Sequence, residues 1–238
     1  LDQSKPLLSI QGLDAWRGAS HILHQIRMFV GDKESVAVVG RNGVGKTTLV
    51  ESIFRMGPTT SGSICFGDHR LESMDPSRLM GLGIALVPQG RRLFQSLSVG
   101  EHIELAARQA RRATTIDSIY ELFPILEERS KAPAVSLSGG ERSMLAIARA
   151  LVTSPKLVVM DEPTEGLAPL LVTRIKDTLL SLRDQGVTLL VVEQNLELAI
   201  AVSDRLLVMD RGTIVEEFRS ADITDREDIR RLIVLGRA

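Results

Sequence analysis

The chain has 238 residues, 44% of them hydrophobic, and a net charge of −1. That is enough apolar material for one well-filled core with room for a smaller lobe, and the charge balance argues against a nucleic-acid platform. No apolar run approaches a bilayer span, the opening LDQSKPLLSI does not read as a secretory leader, and the single cysteine, Cys65, excludes an internal disulfide. Cys65 reads as a small apolar strand residue, and the whole as a soluble cytosolic protein.

In chain order, residues 7–16 and 21–30 read as half-buried strands. The run SVAVVG, 35–40, is almost wholly apolar, as expected of a strand buried on both faces. It leads into GRNGVGKTT, which fits G-x-x-x-x-G-K-[ST] without mismatch, and a helical stripe of Leu49, Ile53 and Met56 follows. Strand, glycine loop and helix in that order make a phosphate cradle. Gly40, Gly43 and Gly45 let the backbone around Arg41, Asn42 and Val44 curl and turn its N–H groups inward. The helix contributes its positive end. Lys46 supplies a cation for the β and γ phosphates, Thr47 an oxygen for Mg²⁺, and Thr48 completes the motif.

GIALVPQ, 83–89, is a second buried strand that ends on Gln89, whose amide can reach the metal or the attacking water. From about 89 to 137 the strands stop. SVGE, 98–101, fits a capping box and opens a helix, and a second helical stretch over 116–130 is interrupted at Pro124. This segment reads as a helical insert. Residues 136–151, SLSGGERSMLAIARAL, start a further helix with a serine and two glycines, a second place where N–H groups can meet an anion. Its stripe of Met144, Ala148 and Leu151 ends before Pro155.

KLVVMDE, 156–162, is a third buried strand with two acids at its exit. Beside a phosphate cradle, Asp161 is placed to hold Mg²⁺ and Glu162 to act as general base on the attacking water. Leu171, Ile175, Leu179 and Leu182 mark a helix stopped at Gly186. VTLLVVE, 187–193, is a fourth strand, and it ends abruptly in Glu193, Gln194 and Asn195. Residues 205–218 read as a hairpin turning at Arg211-Gly212, expected to join the first two strands in an antiparallel layer beside the parallel core. The tail from 228 reads as a short amphipathic helix. Alternating strands and helices predict an α/β fold, mainly a parallel sheet with flanking helices.

The segment Ser138, Gly139, Gly140 and Glu141 closely resembles the L-S-G-G-[QE] signature of ABC ATPases. The cradle, Gln89, VVMDEP, EGLAP (165–169) and a switch position at Gln194 stand in the family's order, so the resemblance covers the whole chain. It implies a P-loop NTPase core over 1–88 and 138–238 with an antiparallel layer, and a helical subdomain over 89–137. It implies ATP and Mg²⁺ as ligands. It also implies a head-to-tail pair of ATPase chains, same or related, each lending Ser138–Glu141 to the other's cradle. Trp16 stands where the family places an aromatic against adenine. Most of the family carry histidine at the switch position; a glutamine amide can donate to a phosphate oxygen but cannot shuttle a proton, which leaves Glu162 as the base.

VEQN, EGLAP and VPQGRRLFQSLSVGEHI together resemble the shorter ATPases of branched-chain amino-acid importers, with urea and short-chain amide importers sharing these features. The implied partners are two transmembrane permeases docked near 89–97 and, indirectly, a periplasmic binding protein, with the chain peripheral on the cytoplasmic face of the plasma membrane and no nucleic acid. A soluble ABC ATPase of ribosomes or DNA is disfavoured because such chains usually hold two ATPase halves or long coiled-coil inserts. A P-loop kinase is disfavoured because the two-glycine signature has no task there.

Overall fold

The computed structural model describes residues 5–110 and 113–235. The elements run β1 (Leu8–Arg17), β2 (Ser20–Val30), β3 (Ser35–Val39), α1 (Lys46–Ile53), β4 (Thr59–Phe66), β5 (His69–Arg70), α2 (Leu79–Leu82), β6 (Ile84–Val87), α3 (Val99–Gln109), α4 (Ile116–Leu122), α5 (Pro124–Glu128), α6 (Gly139–Leu151), β7 (Leu157–Asp161), α7 (Pro169–Asp184), β8 (Thr188–Glu193), α8 (Leu196–Val202), β9 (Arg205–Asp210), β10 (Thr213–Arg219) and α9 (Arg226–Leu235). They build two sheets, β2-β1-β4-β5 and β10-β9-β3-β8-β7-β6.

In the larger sheet, β6, β7, β8, β3 and β9 are parallel. Their side chains alternate between two cores, which is why the runs are apolar throughout. Val158 and Met160 of β7 pack with α3, α6 and α7. Leu157 and Val159 pack on the other face with α1 and the smaller sheet. The strands therefore deliver their C-terminal ends to one edge, where a parallel sheet presents its ligand crevice.

One strand assignment needs correction. The hairpin turns at Arg211-Gly212 as expected, but it does not join the antiparallel layer. β9 pairs parallel with β3, and β10 closes that sheet as an antiparallel edge. Leu206, Leu207, Val208 and Met209 are fully buried or nearly so; a strand apolar on both faces is stable only inside a sheet covered on both sides. The antiparallel layer instead completes itself with β4, of which the sequence reading gave only Cys65 as a strand residue, and with β5. Met56, read as part of the α1 stripe, lies beyond the end of that helix.

Between β6 and β7 the chain is helical. Ser98 and Ser138 each accept from the N–H of the glutamate three residues on, and that glutamate's carboxylate accepts from the serine's own N–H. The stretch broken at Pro124 is two short helices, α4 and α5. α7 begins at Pro169 and ends with Gly186 at φ 77. α9 starts slightly before the expected 228 and buries Ile229; residues 236–238 lie outside the described residues. No helix among the described residues is long and apolar enough to cross a membrane.

Candidate active site

The exit of β3 and the start of α1 bracket the cradle. A side chain at Gly40 would stand 2.4 Å from the carbonyl oxygen of Met209, and Gly45 holds φ 112 with Leu23 pressed against it. Neither position accepts another residue without moving β2 or β9. Val44 offers its carbonyl to the Gly212 N–H at 2.8 Å, so the hairpin turn buttresses the loop. Asn42, Gly43, Gly45, Lys46, Thr47 and Thr48 line an open cavity of about 330 Å³, with Gln89, Glu162 and Glu165 opposite. Thr48 also accepts from Arg17 Nε at 3.3 Å.

Lys46 is 3% exposed. Its Nζ donates to the carbonyls of Gly40 (2.9 Å) and Arg41 (3.0 Å) and pairs with Glu162 Oε1 at 3.0 Å. The other oxygen, Glu162 Oε2, accepts from Gln194 Nε2 at 2.7 Å. Glu162 itself sits at φ 48, a left-handed backbone that a non-glycine residue takes at some cost. The turn brings its carboxylate from the end of β7 into the cavity. Lys46, Glu162 and Gln194 are thus one chain of contacts drawn from three separate strand exits.

Asp161 is buried, with Thr47 Oγ1 donating to its Oδ1 at 3.4 Å. Burial pushes its pKa up to about 6, opposed by the Thr47 hydrogen bond and reinforced by the charge of Glu162. A carboxyl with a raised folded-state pKa stabilises the fold fully below its unfolded value of about 3.8 and loses that contribution as pH rises through about 6. In the metal-free chain at pH 7.5, Asp161→Asn should therefore raise stability by about 2–3 kcal/mol, at about 1.4 kcal/mol per unit. Thermal unfolding without nucleotide, run at pH 7.5 and near pH 4, checks this: the gain should shrink to below about 1 kcal/mol at the lower pH, and a variant less stable at pH 7.5 contradicts it.

Gln89 donates through Nε2 to Glu165 Oε2 at 3.0 Å, a contact between two residues of the cavity wall. Two positions on, Arg91 donates to Ser143 Oγ at 2.7 Å and to the Glu165 carbonyl at 3.0 Å. The entry to the helical segment is thereby tied to α6 and to the loop after Glu162.

Ser138 caps α6 and is exposed, Gly139 is half-buried, and Gly140 is buried under Leu171. Glu141 is held by the capping box and lies 3.8 Å from Arg129. None of Ser138, Gly139, Gly140 and Glu141 is among the cavity's lining residues. Trp16 is half-buried and stacks on His21, with ring centroids 4.5 Å apart and planes 13° apart.

The polar end of β8 has three separate tasks. Glu193, 2% exposed, accepts from Thr164 N–H (3.1 Å), Thr164 Oγ1 (2.6 Å), Gln194 N–H (3.0 Å) and Asn195 N–H (3.2 Å). Gln194 reaches Glu162. Asn195 caps α8 through the Leu198 N–H. Sequence reasoning gave no role to Glu193, although an acid closing a continuous apolar run is a signal of a buried, hydrogen-bonded carboxylate. Glu193→Ala would strand four donors and should lower unfolding stability by about 2–4 kcal/mol, read as a lower denaturation midpoint. An unchanged midpoint would show that the two loops hold without it.

Residues 23–165 match the ABC transporter family. The chain is 36% identical over 227 residues to BraG of Pseudomonas aeruginosa, a high-affinity branched-chain amino acid transport ATP-binding protein, covering 94% of this chain and 97% of that one. It is 35% identical over 216 residues to LivF of Archaeoglobus fulgidus, a probable branched-chain amino acid transport ATP-binding protein, covering 89% and 92%. Among solved structures it is similar to the ADP conformation of MJ1267, an ATP-binding cassette of an ABC transporter, at 26% identity and a TM-score of 0.78, over 97% and 95% of the two chains.

Proposed function

This chain belongs to the ABC transporter family as one of its ATP-hydrolysing subunits, and on that premise we propose that it powers the uptake of branched-chain or other hydrophobic amino acids. The cargo reading is supported by the two relatives named for branched-chain amino acids, each similar over nearly its whole length. The catalytic reading is carried by the Lys46–Glu162–Gln194 chain of contacts.

In this reading the polyphosphate enters the cavity and takes Lys46 from Glu162, since a phosphate is a stronger anionic partner than one carboxylate. Glu162, released, accepts a proton from the attacking water, and Gln194 donates to a γ-phosphate oxygen. Thr47 and Asp161, 3.4 Å apart, with Gln89 nearby, offer the hard oxygen donors that suit Mg²⁺. When bound, that ion would neutralise charge on the β and γ phosphates. Trp16 is placed by this reading against adenine.

Ser138, Gly139, Gly140 and Glu141 stand outside the cavity, so they serve a partner's nucleotide in a two-chain sandwich. Closure on ATP and reopening after hydrolysis then move the attached permeases. An apolar groove of about 290 Å³, walled by Phe54, Met56 and Ile84 on one side and Ala106, Ala146 and Arg149 on the other, runs between the core and the helical segment. It is a fitting seat for a permease segment.

Uptake of labelled leucine by cells that lack this chain tests the proposal. Uptake should fall, return with the wild-type gene, and stay low with Glu162→Gln. Intact leucine uptake with lost urea uptake would reassign the cargo to the urea and amide importers.

A further inference from the structure

β1 and β2 pair antiparallel, and beyond a shift between Ile10 and Leu13 their register slips twice more toward one end. Leu13 faces Ile26 while Ala15 faces Leu23, so β2 uses three residues where β1 uses two; from Ala15 to Trp16 is one step on β1, and from Leu23 to His21 is two on β2. Each slip is an extra residue in β2, a β-bulge, and a bulge re-aims the side chains beyond it. His21 and His24, three apart, would face opposite sides of a regular strand. The bulge at Ile22 puts them together, with ring centroids 4.1 Å apart. At the slip between Ile26 and Leu23, Gln25 holds φ 50.

Both bulges turn toward Asp14. Asp14 is only 8% exposed. Its Oδ1 lies 2.9 Å from His21 Nε2 and accepts the Gln25 N–H at 3.2 Å, while Oδ2 accepts the Gln25 side-chain amide. One ligand atom from each of Asp14, His21 and His24 lies within 4.8 Å of the other two. We propose that Asp14, His21 and His24 form a binding site for a transition-metal dication of the zinc or nickel type.

The donor set favours that class. Two imidazole nitrogens and one carboxylate oxygen suit zinc, nickel or copper, whereas Mg²⁺ takes oxygen alone. In a tetrahedral site with bonds of about 2.0–2.2 Å, ligand atoms stand roughly 3.3 Å apart, so the three ligand atoms, which lie within 4.8 Å of one another, would draw together on binding. Binding replaces the His21–Asp14 hydrogen bond, with each imidazole ligating as the neutral ring and keeping one N–H on its other nitrogen. Outer contacts are in place on two of the three: Gln25 orients the Asp14 carboxylate and the Trp16 ring stacks on His21, while the backbone N–H of His24 donates to the Gly212 carbonyl at 2.8 Å and holds the strand there. Ile22, between the two histidines, lines the nucleotide cavity, so the metal would sit beside the nucleotide site and separate from the acids that face it.

Trp16 is the sole tryptophan, and its contact with His21 makes it the reporter. Ni²⁺ added to the nucleotide-free chain should quench its fluorescence saturably, at one ion per chain. Zn²⁺, which does not quench, should reverse the effect by competition. Asp14→Asn and His24→Gln should each weaken the apparent Ni²⁺ affinity by about tenfold or more, while His69→Gln, on β5, should leave it unchanged. Quenching that rises linearly with Ni²⁺, or that saturates equally in Asp14→Asn and His24→Gln, would overturn the proposal. Should His24→Gln fail to fold, as judged by its unfolding transition, Asp14→Asn decides, since its amide keeps an acceptor for the Gln25 N–H.

Discussion

Replacing Glu162 by glutamine should lower ATP hydrolysis by at least about a hundredfold, the lower range for removal of a general base, while ATP binding is kept or strengthened. Both parts follow from the same contacts. Glutamine is isosteric, so Gln194 Nε2 still finds an oxygen at this position, but the group can no longer take a proton. No histidine stands at Gln194 to do so instead. In the nucleotide-free chain Glu162 is also the carboxylate partner of Lys46, both buried, at 3.0 Å. Its neutralisation leaves a buried cation without a counter-charge, which costs about 3–5 kcal/mol in comparable sites. ATP restores that charge. The variant should therefore be less stable alone and show a larger nucleotide-induced rise in melting temperature than wild type. Phosphate release, nucleotide titration and thermal shift measure the three quantities. Hydrolysis at the wild-type rate would remove Glu162 from the role of base.

If the proposed two-chain sandwich holds, Ser138→Arg should lower turnover to a similar extent, at least about a hundredfold, because a bulky cation would block the surface that the proposal sets against a partner's phosphate. ATP binding by the single chain should be unaltered, since Ser138 does not line the chain's own cavity. The serine also caps α6, and loss of a cap costs about 1 kcal/mol. Ser138→Asn keeps the cap, and its comparison with Ser138→Ala separates the helix end from the interface. Adding the arginine variant to wild-type protein should depress activity beyond dilution. If the single chain instead loses ATP, the two-chain chamber is the wrong picture.

The central strands and the cradle were legible because their signals are local. A run such as SVAVVG followed by glycines and Lys46 specifies strand, tight loop and helix within fifteen or so residues. The capping box at Ser98 was equally readable, for a cap is a contact across three residues; the matching box at Ser138, read in the sequence as an anion site, came from the structure. β4 escaped because TTSGSICF alternates poorly and carries a glycine, and its pairing with β1 depends on a partner distant in sequence. The hairpin was visible and its sheet was not: a turn is written in two residues, but whether β9 lies beside β3 or beside β2 depends on which faces the rest of the fold covers.

The site divides in the same way. The family, the α/β fold and an ATP-hydrolysing subunit follow from motif order, because each motif places its backbone donors and side chains by local geometry. Only the tertiary structure joins Glu162 to Gln194, residues 32 apart in sequence and 2.7 Å apart in space. It alone makes Glu193 the anchor of two loops, and it alone turns two bulges of β2 toward Asp14. Contacts of that kind arise from the register of neighbouring strands. Register is fixed by the packing of both sheet faces at once, a property of the assembled core that no short window of residues carries.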